Sequence, residues 1–164
     1  MNDFFTKTDL SRKDAESIIS ETLNSCDDGE LYLENSKSES IVLDDDKIKS
    51  SNYSSDLGYG LRAVTGEVVA YSHSNEISKK SLKQSASNLS STLKSQKGIY
   101  NHEIPQTNEK FYKDVNPIEE KSLQSKLDLL KEVNNYTRAK GGMVQQVTAS
   151  FAGEHKSIEI IRSG

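Results

Sequence analysis

The residues able to do chemistry are few and scattered. His73, His102 and His155 are the three histidines, and Cys26 is the one cysteine. A zinc peptidase needs two His on one helical face with a Glu between them. His102-Glu103 starts that pattern but continues Ile-Pro-Gln-Thr without a second His, and Pro105 would break the helix it needs. His73 and His155 have no His or Cys partner nearby in sequence. Gly58-Tyr59-Gly60 lacks the third glycine and the following helix of a dinucleotide fingerprint. It reads instead as a structural turn at a strand entry, where backbone approaches backbone, so Gly58 and Gly60 are expected to be structural. No Gly-x-Ser-x-Gly elbow is present to activate a serine. Asp44-Asp45-Asp46 lacks the ligand spacing of a calcium loop and reads as a hairpin turn. Cys26 falls on an apolar helical face, which suits a small buried hydrophobe. Lys79-Lys80 belongs to a solvated face. The residues themselves therefore predict no catalytic group, no metal ligand and no cofactor held by this chain.

Composition narrows the classes further. With 164 residues, one domain spanning 1–164 is expected. The net charge of −4 argues against a nucleic-acid footprint. Hydrophobic residues are 33% of the chain, and 25 serines and 11 asparagines fill the deficit, which leaves apolar material for one modest core. No apolar run is long enough to cross a membrane as a helix. The first residues, Met-Asn-Asp-Phe-Phe-Thr-Lys, lack the basic and apolar regions of a secretory signal. A single cysteine excludes an internal disulfide framework and suits a reducing compartment.

The elements that would position these residues follow from periodicity. Ser11 can cap a helix, with Asp14 three residues later. Ala15, Ile18, Ile19, Leu23 and Cys26 then share one face, and Asp27-Asp28-Gly29 stops it. From Leu31 the period becomes two. Runs at 31–33, 40–43, 47–53, 59–64 and 68–71, separated by polar turns, predict a β-meander of four or five strands over 30–73. Asp56-Leu57-Gly58 is one of those turns, and Thr65-Gly66-Glu67 is a short hairpin loop. Leu82, Ala86, Leu89 and Leu93 predict a second helix with a narrow apolar stripe, ended by Gly98. Residues 98–116 read as a long loop. Pro117 is placed to open a third helix, capped by Asn116, with Leu123, Leu127, Leu130, Val133 and Tyr136 facing inward and Lys140-Gly141-Gly142 as its stop. Val144 to Phe151, a turn near Gly153 and Ile158 to Ile161 predict a C-terminal hairpin. The order is α+β: an N-terminal helix, an antiparallel β-meander, two further helices and a C-terminal β-hairpin. The strand running up to Arg162-Ser163-Gly164 gives the expectation that the chain is a fragment of something longer.

Several stretches together are more specific than any one of them. These are Asp28-Gly29-Glu30-Leu31-Tyr32-Leu33-Glu34, Ser38-Glu39-Ser40-Ile41-Val42-Leu43, Asp46-Lys47-Ile48-Lys49-Ser50, Gly58-Tyr59-Gly60-Leu61-Arg62-Ala63-Val64 and Ala70-Tyr71-Ser72-His73. In this order they resemble the N-terminal domain of the TldD/PmbA family. The stretch from Val147 to Phe151 and on through Arg162 resembles the same domain further along. The resemblance implies a cytoplasmic zinc-dependent peptidase, linked through an older name to modulation of DNA gyrase. It implies a heterodimer with a PmbA/TldE-like subunit, enclosing a cavity for unfolded peptide substrates. The family's metal motif, His-Glu-x-x-x-His, belongs C-terminal to this domain and is absent here, so no catalytic residue carries over. By resemblance, zinc belongs to the full-length protein's own catalytic domain. From the −4 charge and the lack of a long apolar run, neither nucleic acid nor a membrane is expected as a partner. This chain would be non-catalytic, shaping the chamber and the partner interface. The competing expectation is a stand-alone module that grips extended peptide along a sheet edge.

Overall fold

The computed structural model describes residues 4–6, 8–93 and 115–162. Elements follow the order α1 (Arg12–Leu23), β1 (Asp28–Asp44), β2 (Lys47–Thr65), β3 (Val68–Ser74), α2 (Lys79–Leu93), α3 (Leu123–Arg138) and β4 (Thr148–Ile161). The strands form one antiparallel sheet in the order β3-β2-β1-β4, so the arrangement is α+β as expected. The residues divide into two compact units. The described part of the first holds the residues up to Asn35, Asp56 to Leu93 and Ser157 to Arg162; that of the second holds Ser36–Ser55 and Val115 to Lys156.

The first unit is built on aliphatic packing. Ser11 is the N-cap of α1; its hydroxyl accepts from the Asp14 amide at 3.1 Å and donates to the Asp14 carboxylate at 2.8 Å. Ala15, Ile18, Ile19 and Leu23 then repeat at helical spacing and are buried, with Cys26 just beyond. α1 and α2 pack together, and α2 packs on β3. Leu31 and Leu33 of β1, with Leu61 and Ala63 of β2, alternate into the same core as Leu82 and Leu89 of α2. Each fully buried Leu or Ile of this kind contributes about 1.5–3 kcal/mol from the area removed from water. The β2–β3 hairpin pairs Thr65 with Val68 across a two-residue turn. Gly66 occupies its first central position at φ 59°, a left-handed value that glycine adopts without strain.

The second unit has a thinner apolar centre. Ile41 and Leu43 of β1, Leu130 of α3 and Ala149 of β4 form its buried apolar cluster, with Leu127 and Phe151 packed against them, and Ile118 and Val147 are buried as well. Asp45 and Asp46 turn β1 into β2 with both residues at positive φ, 47° and 63°, as a type I′ turn requires. The turn predicted from the three aspartates is therefore present, and the carboxylates of Asp44 and Asp45 are occupied. Asp44 accepts from the Gln146 amide at 2.9 Å and the Thr148 hydroxyl at 2.8 Å, and Asp45 accepts from the Val147 backbone amide at 3.0 Å and from Arg138.

Four expectations change. The meander of four or five short strands is three strands, of which β1 and β2 are 17 and 19 residues long. Two of the polar stretches between those runs, 34–39 and Asp56-Leu57-Gly58, stay extended within β1 and β2. Gly58 and Gly60 accordingly lie inside β2, not in a turn at its entry. The third helix starts at Leu123, capped by Ser122, whose hydroxyl accepts the Ser125 amide at 3.2 Å. Pro117 and Asn116 form a separate turn, in which the Asn116 side-chain oxygen accepts the Ile118 amide at 3.0 Å. The inward stripe of α3 is Lys126, Leu130 and Asn134; Leu123, Val133 and Tyr136 point to solvent. The C-terminal hairpin is one continuous strand, with Gly153 in its interior. Gly98 and most of the 98–116 loop lie outside the described residues.

Candidate functional site

In the first unit the two singled-out glycines floor a groove. Gly60 stands opposite His73, and Tyr59 opposite Ser74, in the β2–β3 ladder. A Cβ on Gly58 would fall 2.8 Å from the Ser74 carbonyl oxygen, and one on Gly60 would fall 2.5 Å from the Tyr71 hydroxyl. The bare backbone lets the Tyr71 ring lie over the sheet, where it stacks with His73 at a centroid separation of 5.8 Å. Tyr32, Glu34, Asp56 and Asn75 complete the walls of a shallow cavity of about 210 Å³. The Tyr32 hydroxyl donates to the Glu34 carboxylate at 2.5 Å. That bond, with burial second, pushes the phenol up to about 12, so it stays protonated at neutral pH. On the opposite face Tyr59 turns inward, and its hydroxyl lies 2.9 Å from both Ser81 and Ser85 of α2.

The second unit carries a wider groove of about 460 Å³. Its floor is made of small residues, Ser38, Ser40, Ala152 and Gly153, with Asn52 and Tyr53 of β2 at one side and Glu39 and Glu154 among the lining. Glu39 does not act there as a bare charge. Its side chain is 10% exposed and pairs with the Lys126 ammonium, whose side chain is 7% exposed. Lys126 also donates to the Ile118 carbonyl at 2.6 Å and lies 5.6 Å from the Phe151 ring centroid. The Lys126 side chain thus has a carboxylate, a carbonyl and an aromatic face as partners, which compensates its burial. At the turn beside it, the Gln146 and Thr148 hydrogen bonds hold the Asp44 carboxyl below its usual range.

Both grooves are open and shallow, lined by hydroxyls, phenols, carboxylates and backbone. That inventory suits recognition of a chain or a side chain. Among the described residues no group of three or more His, Cys, Asp and Glu is arranged to hold a metal. His73 is in β3 and His155 in β4, in different units, and His102 lies outside the described residues. Cys26 is buried. Sequence reasoning singled out the two glycines but missed Tyr71, which covers one of them, and the Lys126–Glu39 pair. A lysine at an inward helical position was the available signal for the latter.

Among the described residues, no helix is long and apolar enough to cross a membrane. Comparison with known proteins adds the family. Residues 29–92 match the family model described as PmbA/TldA metallopeptidase domain 1. The chain is 36% identical over 133 residues to the metalloprotease TldD homolog of Buchnera aphidicola from Acyrthosiphon pisum, covering 80% of this chain and 28% of that protein. It is 30% identical over 141 residues to the metalloprotease TldD homolog of Haemophilus influenzae, covering 82% and 29%. Two solved structures share the fold. One, from Bacteroides thetaiotaomicron and named as a modulator of DNA gyrase, superposes with a TM-score of 0.60 at 20% identity, over 90% of this chain and 38% of that one. The other, TldE from Thermococcus kodakarensis, gives 0.57 at 14% identity, over 90% and 34%. The chain spans about a third or less of the curated relatives it matches. With matching segments in the same order and the same fold in both solved relatives, the chain belongs to the PmbA/TldD family, and residues 29–92 carry that family's first domain.

Proposed function

We propose that this chain, residues 1–164, is the non-catalytic N-terminal domain of a TldD-like zinc metallopeptidase subunit. In this reading it helps to wall a chamber for unfolded peptides and to support the interface with a PmbA/TldE-like subunit in the cytoplasm. The observation that carries it is the family match over residues 29–92 in a chain that spans 28% of a metalloprotease relative. Among the described residues no group of three candidate ligands is arranged to hold a metal; in this reading the zinc that the family resemblance implies is held by a catalytic domain elsewhere in the full-length protein. What this chain's own residues supply is recognition surface: open grooves floored by glycine, serine and alanine.

The test compares two proteins. The 164-residue chain and the full-length subunit, each mixed with its PmbA/TldE-like partner, are assayed on a casein-derived unfolded peptide with and without chelator. Cleavage by the full-length pair alone, abolished by chelator, is the expected result. Cleavage by the 164-residue chain would overturn the assignment and send attention to His73, His102 and His155. A full-length protein without His-Glu-x-x-x-His would overturn the catalytic half of the reading.

A further inference from the structure

Three strands bring one kind of chemistry to the cavity of about 210 Å³ in the first unit. Tyr59 and Leu61 face the core, which puts Gly58 and Gly60 on the other side of β2. Around those glycines β1 supplies Tyr32 and Glu34, β2 supplies Asp56, and β3 supplies Tyr71. A Cβ on Gly60 would strike the Tyr71 hydroxyl and one on Gly58 the Ser74 carbonyl, so a side chain at either position would displace a wall of the cavity. The Tyr32 hydroxyl donates to Glu34 and holds that carboxylate in the wall; a carboxylate has roughly four acceptor positions, and this bond takes one. Tyr71 is 64% exposed, which leaves its ring accessible. Among the described residues the lining holds two carboxylates and no Lys, Arg or His. Arg62, opposite Tyr71 in the ladder, pairs instead with Asp28 at 3.0 Å.

We propose that this cavity receives the guanidinium of an arginine side chain carried by a polypeptide, with its plane against the Tyr71 ring and its N–H groups on the Glu34 and Asp56 carboxylates. Negative charge beside phenol rings selects a cation. A hard metal ion takes about six or more oxygen ligands and gains nothing from a ring. A guanidinium gains from both, because it is flat enough to stack and presents a fork of donors to a carboxylate. The volume equals that of about seven liquid waters, which admits one charged side-chain end and not a folded partner. A free arginine would bring its own α-carboxylate beside Glu34 and Asp56, where the described lining has no cation to receive it. Within a polypeptide the same groups are neutral amides. The inference stands on these residues and not on the peptidase reading.

The experiment follows backbone amide shifts of the 164-residue chain as acetyl-Gly-Arg-Gly-amide is added to about 20 mM, enough to detect a dissociation constant on the order of 1 mM. Saturable shifts at Gly58, Gly60, Tyr71 and Asn75 are the expected result. Three further ligands are titrated: the same peptide with citrulline, the same peptide with lysine, and free arginine. Citrulline keeps the shape and loses the charge, and should bind about tenfold more weakly or worse. Lysine and free arginine should also bind more weakly than the arginine peptide. Tyr71→Ala should weaken the arginine peptide about two- to fivefold, and Glu34→Gln should weaken it as well. The citrulline comparison is made on the parent chain, so it decides the matter even if a variant fails to fold. Equal binding of citrulline would show that charge is not read, and equal binding of lysine that a planar fork is not read. Free arginine binding as tightly as the peptide would make the ligand a small molecule. Shifts confined to other residues, or none, would mean that the cavity is not a site. Each of these four results overturns the proposal. The assay of cleavage by the full-length pair is a separate readout, and either measurement can fail without the other.

Discussion

The two units solve the same problem with different chemistry. In the first, twenty buried apolar residues form the core among the described residues, drawn from two helices, all four strands and the segments flanking them. In the second, a cluster of four buried apolar residues, with Ile118 and Val147 buried besides, is supplemented by a buried Lys126–Glu39 pair and by Asn134, which is 2% exposed. A core of the first kind loses contacts gradually when trimmed, because neighbours partly close the gap. A core of the second kind depends on a matched pair, and each partner is costly to bury alone. The difference teaches that in a serine-rich chain of 33% hydrophobic content, a second core is assembled around charge where aliphatic residues run out.

The substitution expected to do most damage is Lys126→Met. It leaves the Glu39 carboxylate buried without its cation, which costs about 3–5 kcal/mol. Adding Glu39→Leu should return most of that loss, and urea denaturation of parent, single and double variants reads both. If the single variant is as stable as the parent, the contrast between the units collapses. Leu61→Ala, in the first unit, should cost about 2–5 kcal/mol by cavity formation, with no single second change able to restore it. The glycines divide next. Gly58→Ala drives its methyl against the Ser74 backbone carbonyl, which cannot swing away, and should cost about 1–3 kcal/mol. Gly60→Ala meets the tip of Tyr71, a side chain 64% exposed and able to turn, and should cost less than about 1 kcal/mol. Thermal melts that reverse this order would show that Tyr71 is fixed in place. The bulkier Gly60→Val should lower the melting temperature more than the alanine.

One further effect, of about the same size as the alanine at Gly60, is pH-dependent. The folded pKa of Tyr32, about 12, lies above its ordinary value of 10.0. Its bond to Glu34 therefore contributes fully below about pH 10 and is lost as pH rises through about 12. Tyr32→Phe should cost about 1 kcal/mol at pH 8, and the deficit should vanish in the alkaline range. A deficit that stays constant with pH would assign the loss to packing.

Legibility in the sequence follows the same division. In the first unit α1 and α2 were readable because Ile18, Leu23, Leu82 and Leu89 are both apolar and buried, so periodicity and burial agree. The hairpin turns were readable from Asp45-Asp46 and Gly66. In the second unit the periodic apolar residues of α3 mislead. Leu123, Val133 and Tyr136 are exposed while Lys126 and Asn134 are inside, because an ion pair and a backbone carbonyl compensate the buried lysine. No local rule reveals a partner 87 residues away. The long strands were missed for a related reason. Stretches such as 34–39 and 54–58 have no strand-like composition, yet they stay extended within β1 and β2. Of the candidate site, Gly58 and Gly60 were legible as residue types, whereas Tyr71 and the serine floor of the larger groove were not, since nothing about an isolated tyrosine or serine marks it.

β4 has a consequence for biosynthesis. It is the last of the described strands in chain order, and its residues up to Lys156 belong to one unit while those from Ser157 belong to the other. On the ribosome, neither unit can be completed until this strand has left the exit tunnel. Synthesis at roughly 5–20 residues per second leaves β1, β2 and the helices waiting for their last neighbour for several seconds. During that interval the side of β1 destined for β4 is an open strand edge in the nascent chain, and it is there that a holding chaperone would have to act.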